Sequence, residues 1–284
     1  MAFDVSHPQI QDAVRRALEE DIGTGDITTY FCVTPEARAT GRIVARQDLT
    51  LAGVELLPVI FDAIAPRRCE ISIQHNSGAQ LQTGDEIAVV VGPARALLTG
   101  ERTALNFVQR LSGVATAATT LSRLMQGTDC RILDTRKTTP GLRRLEKQAA
   151  AAGGATNHRH GLYDAVLIKN NHITAAGGVR AALERTRDAG VDVEIEVRTR
   201  AELEEALACG AQHLLLDNLT PAEARDWIAH IRATVDRKII VELSGGITLA
   251  NARAYAETGA DFLSSGAITH SAPAVDINFG LTLE

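Results

Sequence analysis

Polar residues with catalytic chemistry stand at the C-terminal ends of six strand-like segments: Asp134-Thr135-Arg136-Lys137, Lys169, Glu196, Asp217, Ser244-Gly245-Gly246 and Ser264-Ser265-Gly266-Ala267. Arg136, Lys137, His158, Arg159 and Lys169 are a set of cations whose forked or point-like donors suit carboxylates and phosphates. Glu196 and Asp217 add hard oxygen ligands, the donor type for Mg²⁺, which is commonly held by one or two carboxylates together with substrate phosphates. Ser244-Gly245-Gly246 follows a strand and reads as the opening of a helix, so its backbone N–H groups suit a phosphate. Ser265-Gly266-Ala267 offers a second small-residue turn on the next unit, the arrangement of the phosphate site after the late strands of barrel folds. A phosphorylated, anionic substrate is the reading that uses all of these groups. Any one of them has a bland explanation, because strand ends meet solvent and tight strand-to-helix turns require glycine for steric reasons. Six in succession argue for a common rim.

The elements that must carry these residues alternate with short regularity. Strand-like stretches at Arg131–Asp134, Ala165–Lys169, Val193–Val197, His213–Asp217, Ile239–Leu243 and Asp261–Ser264, most followed by a helical pattern, predict parallel βα units. Six units occupy roughly 150 residues, against about 250 for a complete eightfold barrel. An incomplete or open barrel fits best, with a doubly wound sheet as the alternative, since strand order is invisible in sequence. Before them, Ser6 and Gln9 read as a capping box for a helix whose apolar positions are Ile10, Ala13, Val14, Ala17 and Leu18. Strand-like stretches at Ala39–Ala45, Glu70–Gln74 and Glu86–Val91, with a helix over Val54–Ile64, predict a small α/β sandwich. From Pro93 to Met125 the pattern is helical, and Gly100 and Gly113 predict breaks in it. The domain boundary is set near residue 110: an N-terminal sandwich over 1–110 and a C-terminal barrel over 111–284.

The whole chain is consistent with an enzyme for small molecules. Its 284 residues can bury a full core, and a net charge of −6 gives no overall attraction to nucleic acid. No apolar run of about 18 residues and no basic-then-apolar leader is present, which predicts neither membrane spanning nor export. Cys32, Cys69, Cys130 and Cys209 show no ligand spacing and read as reduced, small core residues in the cytoplasm.

With these positions located, the chain resembles the quinolinate phosphoribosyltransferase family from end to end. The matching stretches are Glu20-Asp-Ile-Gly-Thr-Gly-Asp-Ile-Thr-Thr29, Gly100-Glu-Arg-Thr-Ala-Leu-Asn-Phe107, Asp134-Thr-Arg-Lys-Thr-Thr-Pro-Gly-Leu-Arg143, Asn157-His-Arg-His-Gly-Leu162, Leu167-Ile-Lys-Asn-Asn-His172, Leu216-Asp-Asn218 and Ser244-Gly-Gly-Ile247. The resemblance implies an α/β sandwich, an incomplete TIM-like barrel, and a homodimer whose active sites are shared between subunits. It implies a pentosyltransferase that joins quinolinate to phosphoribosyl pyrophosphate with release of pyrophosphate and CO₂, in NAD biosynthesis. By matching position, Arg102, Thr135, Arg136, Lys137, His158, Arg159 and Lys169 surround the pyridine dicarboxylate. Glu196 and Asp217 face the ribose and Mg²⁺, and the two glycine turns take the 5′-phosphate. Lys137, Lys169, Glu196 and Asp217 are the implied catalytic set.

Two departures stand out. Ala152-Gly-Gly-Ala155 replaces a frequent Cys-Gly-Gly-Gly run, and Asn170 follows Lys169 where many members carry an acid. Other readings of the same residues are a Schiff-base enzyme using Lys169, a paralogue associated with molybdenum transport, and a regulatory anion-binding module. The number of anion-binding residues argues against the first, and Lys169 ahead of Asn170-Asn171-His172 against the second.

Overall fold

A computed structural model describes residues 3–284. In chain order the elements are α1 (Pro8–Ile22), α2 (Ile27–Cys32), β1 (Arg38–Ala45), β2 (Leu49–Thr50), α3 (Leu56–Ile64), β3 (Glu70–Ile73), β4 (Gln80–Leu81), β5 (Glu86–Pro93), α4 (Ala94–Leu124), β6 (Arg131–Leu133) and α5 (Arg143–Ala152). They continue as β7 (Val166–Ile168), α6 (Asn170–Ala176), α7 (Val179–Thr186), β8 (Val193–Val197), α8 (Arg200–Ala208), β9 (His213–Asp217), α9 (Pro221–Thr234), β10 (Ile240–Ser244), α10 (Ala252–Ala256), β11 (Phe262–Ser264), α11 (Ala267–His270) and β12 (Ile277–Leu283).

Packing divides the chain into two compact units that interleave in sequence. One holds the chain up to Thr119 with Thr138–Gly154 and Ile268–Glu284; the other holds Thr120–Lys137 and Ala155–Ala267. In this packing α5 and β12 return to the first unit.

In the first unit an antiparallel sheet runs β12-β1-β5-β3. Strand β12, absent from the sequence reading, pairs along β1 from Ala39↔Leu283 to Ala45↔Ile277. Helix α1 buries Ile10, Val14 and Leu18 as its periodicity requires. Its cap is His7, whose Nδ1 accepts the Gln9 N–H at 3.1 Å, while Ser6 turns back to Asp4. The expected Ser6 capping box is thus not formed. Helix α4 is continuous over 31 residues, so Gly100 and Gly113 are not breaks. They are close-packing positions: a Cβ at Gly113 would stand 2.0 Å from the Pro273 carbonyl oxygen, and one at Gly100 would stand 2.7 Å from the Phe61 ring. Long-range contact, invisible locally, is what selected glycine there. Of the cysteines, all four thiols are free and Cys130 alone is buried; Cys32 is exposed, contrary to its reading as a core residue.

In the second unit six parallel strands are ordered β6-β11-β10-β9-β8-β7. The first strand, β6, pairs with the last, β11, and the sheet is interrupted between β6 and β7. That circular order is an incomplete barrel and excludes a doubly wound sheet, in which strand order reverses about a central strand. Side chains alternate across each strand, so Glu194 and Glu196 of β8 share one face with Leu215 and Asp217 of β9 and with Glu242 and Ser244 of β10. The opposite face carries Ile195, Val197, Leu214, Leu216, Val241 and Leu243, all buried.

Candidate active site

The C-terminal ends of these strands enclose a cavity of about 460 Å³ within the second unit. Its lining includes Thr135, Arg136, Lys137, His158, Arg159, Lys169, Glu196, Asp217, Ser244, Gly245 and Gly246, eleven of the fifteen positions singled out from sequence. Ser265, Gly266, Ala267 and Arg102 are not among the lining residues. Ser265 is buried, with its N–H given to Leu133 O at 3.1 Å and its hydroxyl to Ile247 O at 3.2 Å. Arg102 is exposed on α4.

One wall of the cavity is cationic. Asp134, at the end of β6 and fully buried, accepts from Asn157 Nδ2 at 2.7 Å and from the His158 N–H at 2.8 Å. It therefore fixes the segment that presents His158 and Arg159. Arg159 is anchored through Nη1 to the Ala165 carbonyl at 3.0 Å, and its Nε is buried without a hydrogen-bond partner. Burial, and then the neighbouring Arg136 guanidinium, push the Arg159 pKa down. A guanidinium whose charge is disfavoured by burial, with a spare buried donor, is stabilised by an anionic ligand.

The other wall is acidic. Glu196 (β8) is 6% exposed and Asp217 ends the adjacent β9. Arg198, a residue the sequence reading missed, bonds Glu196 Oε1 through Nη2 at 2.8 Å and stands 3.7 Å from Asp217 Oδ2. A guanidinium bridging both carboxylates demonstrates that their oxygens converge on one cationic position, and hard oxygens at that spot fit Mg²⁺.

The glycine turn closes the cavity, though not as a helix start. Helix α10 is five residues long and begins at Ala252, after a turn in which Asn251 Oδ1 accepts the Thr248 N–H at 2.7 Å. A helix N-terminus therefore does not follow Gly246 directly. Gly245 and Gly246 adopt φ of +96° and +63°, and neither donates its N–H to another group among the described residues. Two unbonded amides in a left-handed turn form a concave anion seat by themselves. Asn218, also missed, packs behind this turn: its N–H donates to Ser244 O at 2.9 Å and its Nδ2 to Asp217 Oδ2 at 2.8 Å. Its positive φ of 58° marks a constrained position that the Leu216-Asp-Asn218 motif alone did not explain.

An incomplete parallel barrel whose rim opposes a cationic wall to an acidic pair, beside an amide-lined turn, defines an enzyme site for small anionic substrates. Models of the two domains named "Quinolinate phosphoribosyl transferase" match this chain, the N-terminal domain over residues 26–112 and the C-terminal domain over 114–280. The chain is 39% identical over 287 residues to "Nicotinate-nucleotide pyrophosphorylase [carboxylating]" of Mycobacterium leprae, covering 99% of this chain and 100% of that one. It is 35% identical over 300 residues to "Quinolinate phosphoribosyltransferase [decarboxylating] 1b" of Nicotiana tabacum, covering 98% and 85%. The solved nicotinate-nucleotide pyrophosphorylase from Francisella tularensis superposes with a TM-score of 0.91 at 35% identity, over 98% of each chain. The chain belongs to the quinolinate phosphoribosyl transferase family.

Proposed function

We infer that this protein transfers the phosphoribosyl group of phosphoribosyl pyrophosphate to the ring nitrogen of quinolinate and releases pyrophosphate and CO₂, forming nicotinate mononucleotide for NAD. The observation that carries this reading is the neighbouring Arg136 and Arg159, the latter with a buried Nε that has no hydrogen-bond partner, beside Lys169 and opposite Glu196 and Asp217 in one cavity. A pyridine dicarboxylate satisfies the first group, and a ribose with developing positive charge satisfies the second. Full-length relatives whose names carry this activity support it.

In this reading the guanidinium groups and Lys169 hold the two carboxylates and aim the ring nitrogen at C1 of the ribose. As pyrophosphate departs, C1 gains oxocarbenium character, which Glu196 and Asp217 stabilise electrostatically. Lys137, exposed at the rim, is placed to neutralise the leaving anion, and the amides of Gly245 and Gly246 hold the 5′-phosphate, with the Ser265-Gly266-Ala267 turn backing that seat. Glu196 and Asp217 would hold Mg²⁺, which would supply further neutralisation of the charge that develops on the leaving group. Once quaternary, the positively charged ring nitrogen stabilises the electron pair left on C2 as the 2-carboxylate departs as CO₂, and C2 then takes up a proton, so no side-chain nucleophile is needed. The same reading has Arg102 completing the site of a second subunit in a homodimer, and places the enzyme in the cytoplasm. Among the described residues no helix is long and apolar enough to cross a membrane.

The test is product analysis with both substrates. Stoichiometric pyrophosphate, CO₂ and nicotinate mononucleotide, dependent on a divalent ion, are expected. Nicotinate should be a poor substrate, because a site built for two carboxylates leaves buried donors unpaired with the analogue. Equal use of nicotinate would overturn the substrate assignment, and full turnover in chelator would overturn the metal role.

A further inference from the structure

Glu194, Glu242 and His213 lie beneath the rim, Glu194 and Glu242 against His158 of the cationic wall, and take no part in the chemistry above. Glu194 precedes Glu196 by two residues on β8, and Glu242 precedes Ser244 by two on β10, so each faces the barrel interior about 6.6 Å deeper than its rim neighbour. Glu194 is 4% exposed and Glu242 is 0% exposed. His158 Nε2 stands 3.0 Å from Glu194 Oε2 and 3.6 Å from Glu242 Oε2. From the start of β9, His213 Nε2 approaches Glu194 Oε1 at 3.1 Å without the alignment of a hydrogen bond. Glu242 packs against Glu194 and the Ser264 hydroxyl, and the residue lines the cavity floor.

Two anionic carboxylates packed this way would carry a large desolvation and repulsion penalty. Either a metal ion or a proton must offset it. The donor atoms of His158, Glu194 and Glu242 all lie within 4.8 Å of one another, close enough to share a metal. The histidine tautomer argues against that. His158 Nδ1 accepts the Arg159 N–H at 2.7 Å, so Nε2 carries the ring proton and directs it at Glu194, with no lone pair left for a metal. Burial, then His158, push His213 down to about 4, so it is neutral and brings no compensating charge.

We propose that Glu242 stands as a neutral carboxylic acid at the cavity floor and is the proton donor to ring carbon C2 after CO₂ leaves. The proposal rests on the quinolinate reading. In the step, the C2–carboxylate bond breaks and CO₂ departs, leaving the bonding pair on C2 beside the quaternary nitrogen. The Glu242 O–H bond then breaks, its proton goes to C2, and its electron pair remains on the carboxylate oxygen. Solvent returns the proton after product leaves, which closes the cycle without another reactant.

Electrostatics agree with this assignment. Burial, and then Glu194, push Glu242 up to about 8. The charged and titratable groups facing this pair are His158, His213, Arg159, Lys169 and Glu196, with the Ser264 hydroxyl on β11 beside Glu242. The acid form therefore prevails at neutral pH, and the proton-transfer step should be level below about pH 8 and fall above it. Stability follows the same sign: Glu242 has its folded value raised from 4.5, so its contribution is complete below pH 4.5 and is lost as pH rises through about 8.

Single-turnover quench with quinolinate labelled in the 2-carboxylate, plus phosphoribosyl pyrophosphate and Mg²⁺, separates the two halves of the reaction. The wild-type pyrophosphate burst tests the quinolinate reading by itself; its absence refutes that reading, whatever Glu242 does. With Glu242→Gln, a burst within about threefold of wild type is expected, while protonated product forms at least about 100-fold more slowly. The long-lived carbanion should also exchange added ¹³CO₂ into the dicarboxylate nucleotide, and the alkaline limb should disappear. Wild-type product formation by Glu242→Gln overturns the proposal. So does equal loss of burst and product in a folded variant, or one equivalent of transition metal present in wild type and missing from the variant. Should Glu242→Gln not fold, carboxyl-labelled glutamate NMR of the wild type serves. A glutamate titrating near pH 8 supports the proposal, and none titrating above about pH 6 overturns it.

Discussion

Adjacent glycines of the phosphate turn should respond very differently to the same added methyl group. At Gly246 the φ of +63° lies in the left-handed region that alanine tolerates with strain, and no atom lies within 4 Å of an added Cβ. Gly246→Ala should therefore cost about 1 kcal/mol and leave the turn in place. At Gly245 the φ of +96° falls outside that region, and the Cβ would stand 2.3 Å from Asn218 Oδ1 and 2.9 Å from Asn218 N. Backbone strain of about 1–3 kcal/mol is joined there by a clash with main chain, which has little freedom to yield. Asn218 bonds both Ser244 O and Asp217 Oδ2, so its displacement moves the phosphate seat and one of the acidic pair together. If about 1.4 kcal/mol of the disturbance reaches donor binding, KM for phosphoribosyl pyrophosphate rises tenfold. Steady-state kinetics and thermal melting of both variants, at saturating quinolinate, give the comparison. Equal KM and equal Tm for Gly245→Ala and Gly246→Ala would refute the claim that Asn218 couples the turn to Asp217.

Removing Arg110 should destabilise the first unit, because Glu146 is fully buried and receives Arg110 Nη2 at 2.8 Å, while Arg110 also caps the carbonyls of Ala272 and Thr269. Arg110→Ala is expected to cost about 3 kcal/mol and lower Tm by roughly 6–12 °C, and a loss under about 1 kcal/mol would contradict the buried-pair argument. Arg198→Ala frees Glu196 and Asp217 of a resident cation, so Mn²⁺ should bind more tightly by electron paramagnetic resonance titration; unchanged or weaker binding refutes competition between guanidinium and metal. Mixed refolding of Arg102→Ala with Lys169→Ala chains should restore about a quarter of wild-type activity, since half the dimers are mixed and each has one intact site. No restoration would place both residues in the same subunit's site.

Much of the site is legible in the sequence because it depends on local chemistry. A strand of period two that ends in Asp134, Lys169, Glu196 or Asp217 fixes which face those groups share, and a glycine pair after β10 implies a turn with free amides. Six βα units also carry the second unit's class, since parallel strands need crossovers. The open questions were those of sequence-distant contact. Whether six strands form a barrel or a wound sheet depends on β6 pairing with β11, some 130 residues away. Gly100 and Gly113 look like helix breaks until Phe61 and Pro273 are seen to occupy the space a Cβ would need. Strand β12 gains its meaning only beside β1. Arg198 lies one residue beyond its strand, where a charged residue ordinarily meets solvent. Glu194 and Glu242 did leave a local signal, an acid at an inward position two residues before the rim, but a single strand cannot reveal that another carboxylate faces it. Residue type and spacing determine which groups this protein has available at its rim, because periodicity is a property of the backbone. Which of them meet, lose water and hold a proton is decided only when strands far apart in sequence close around the same interior.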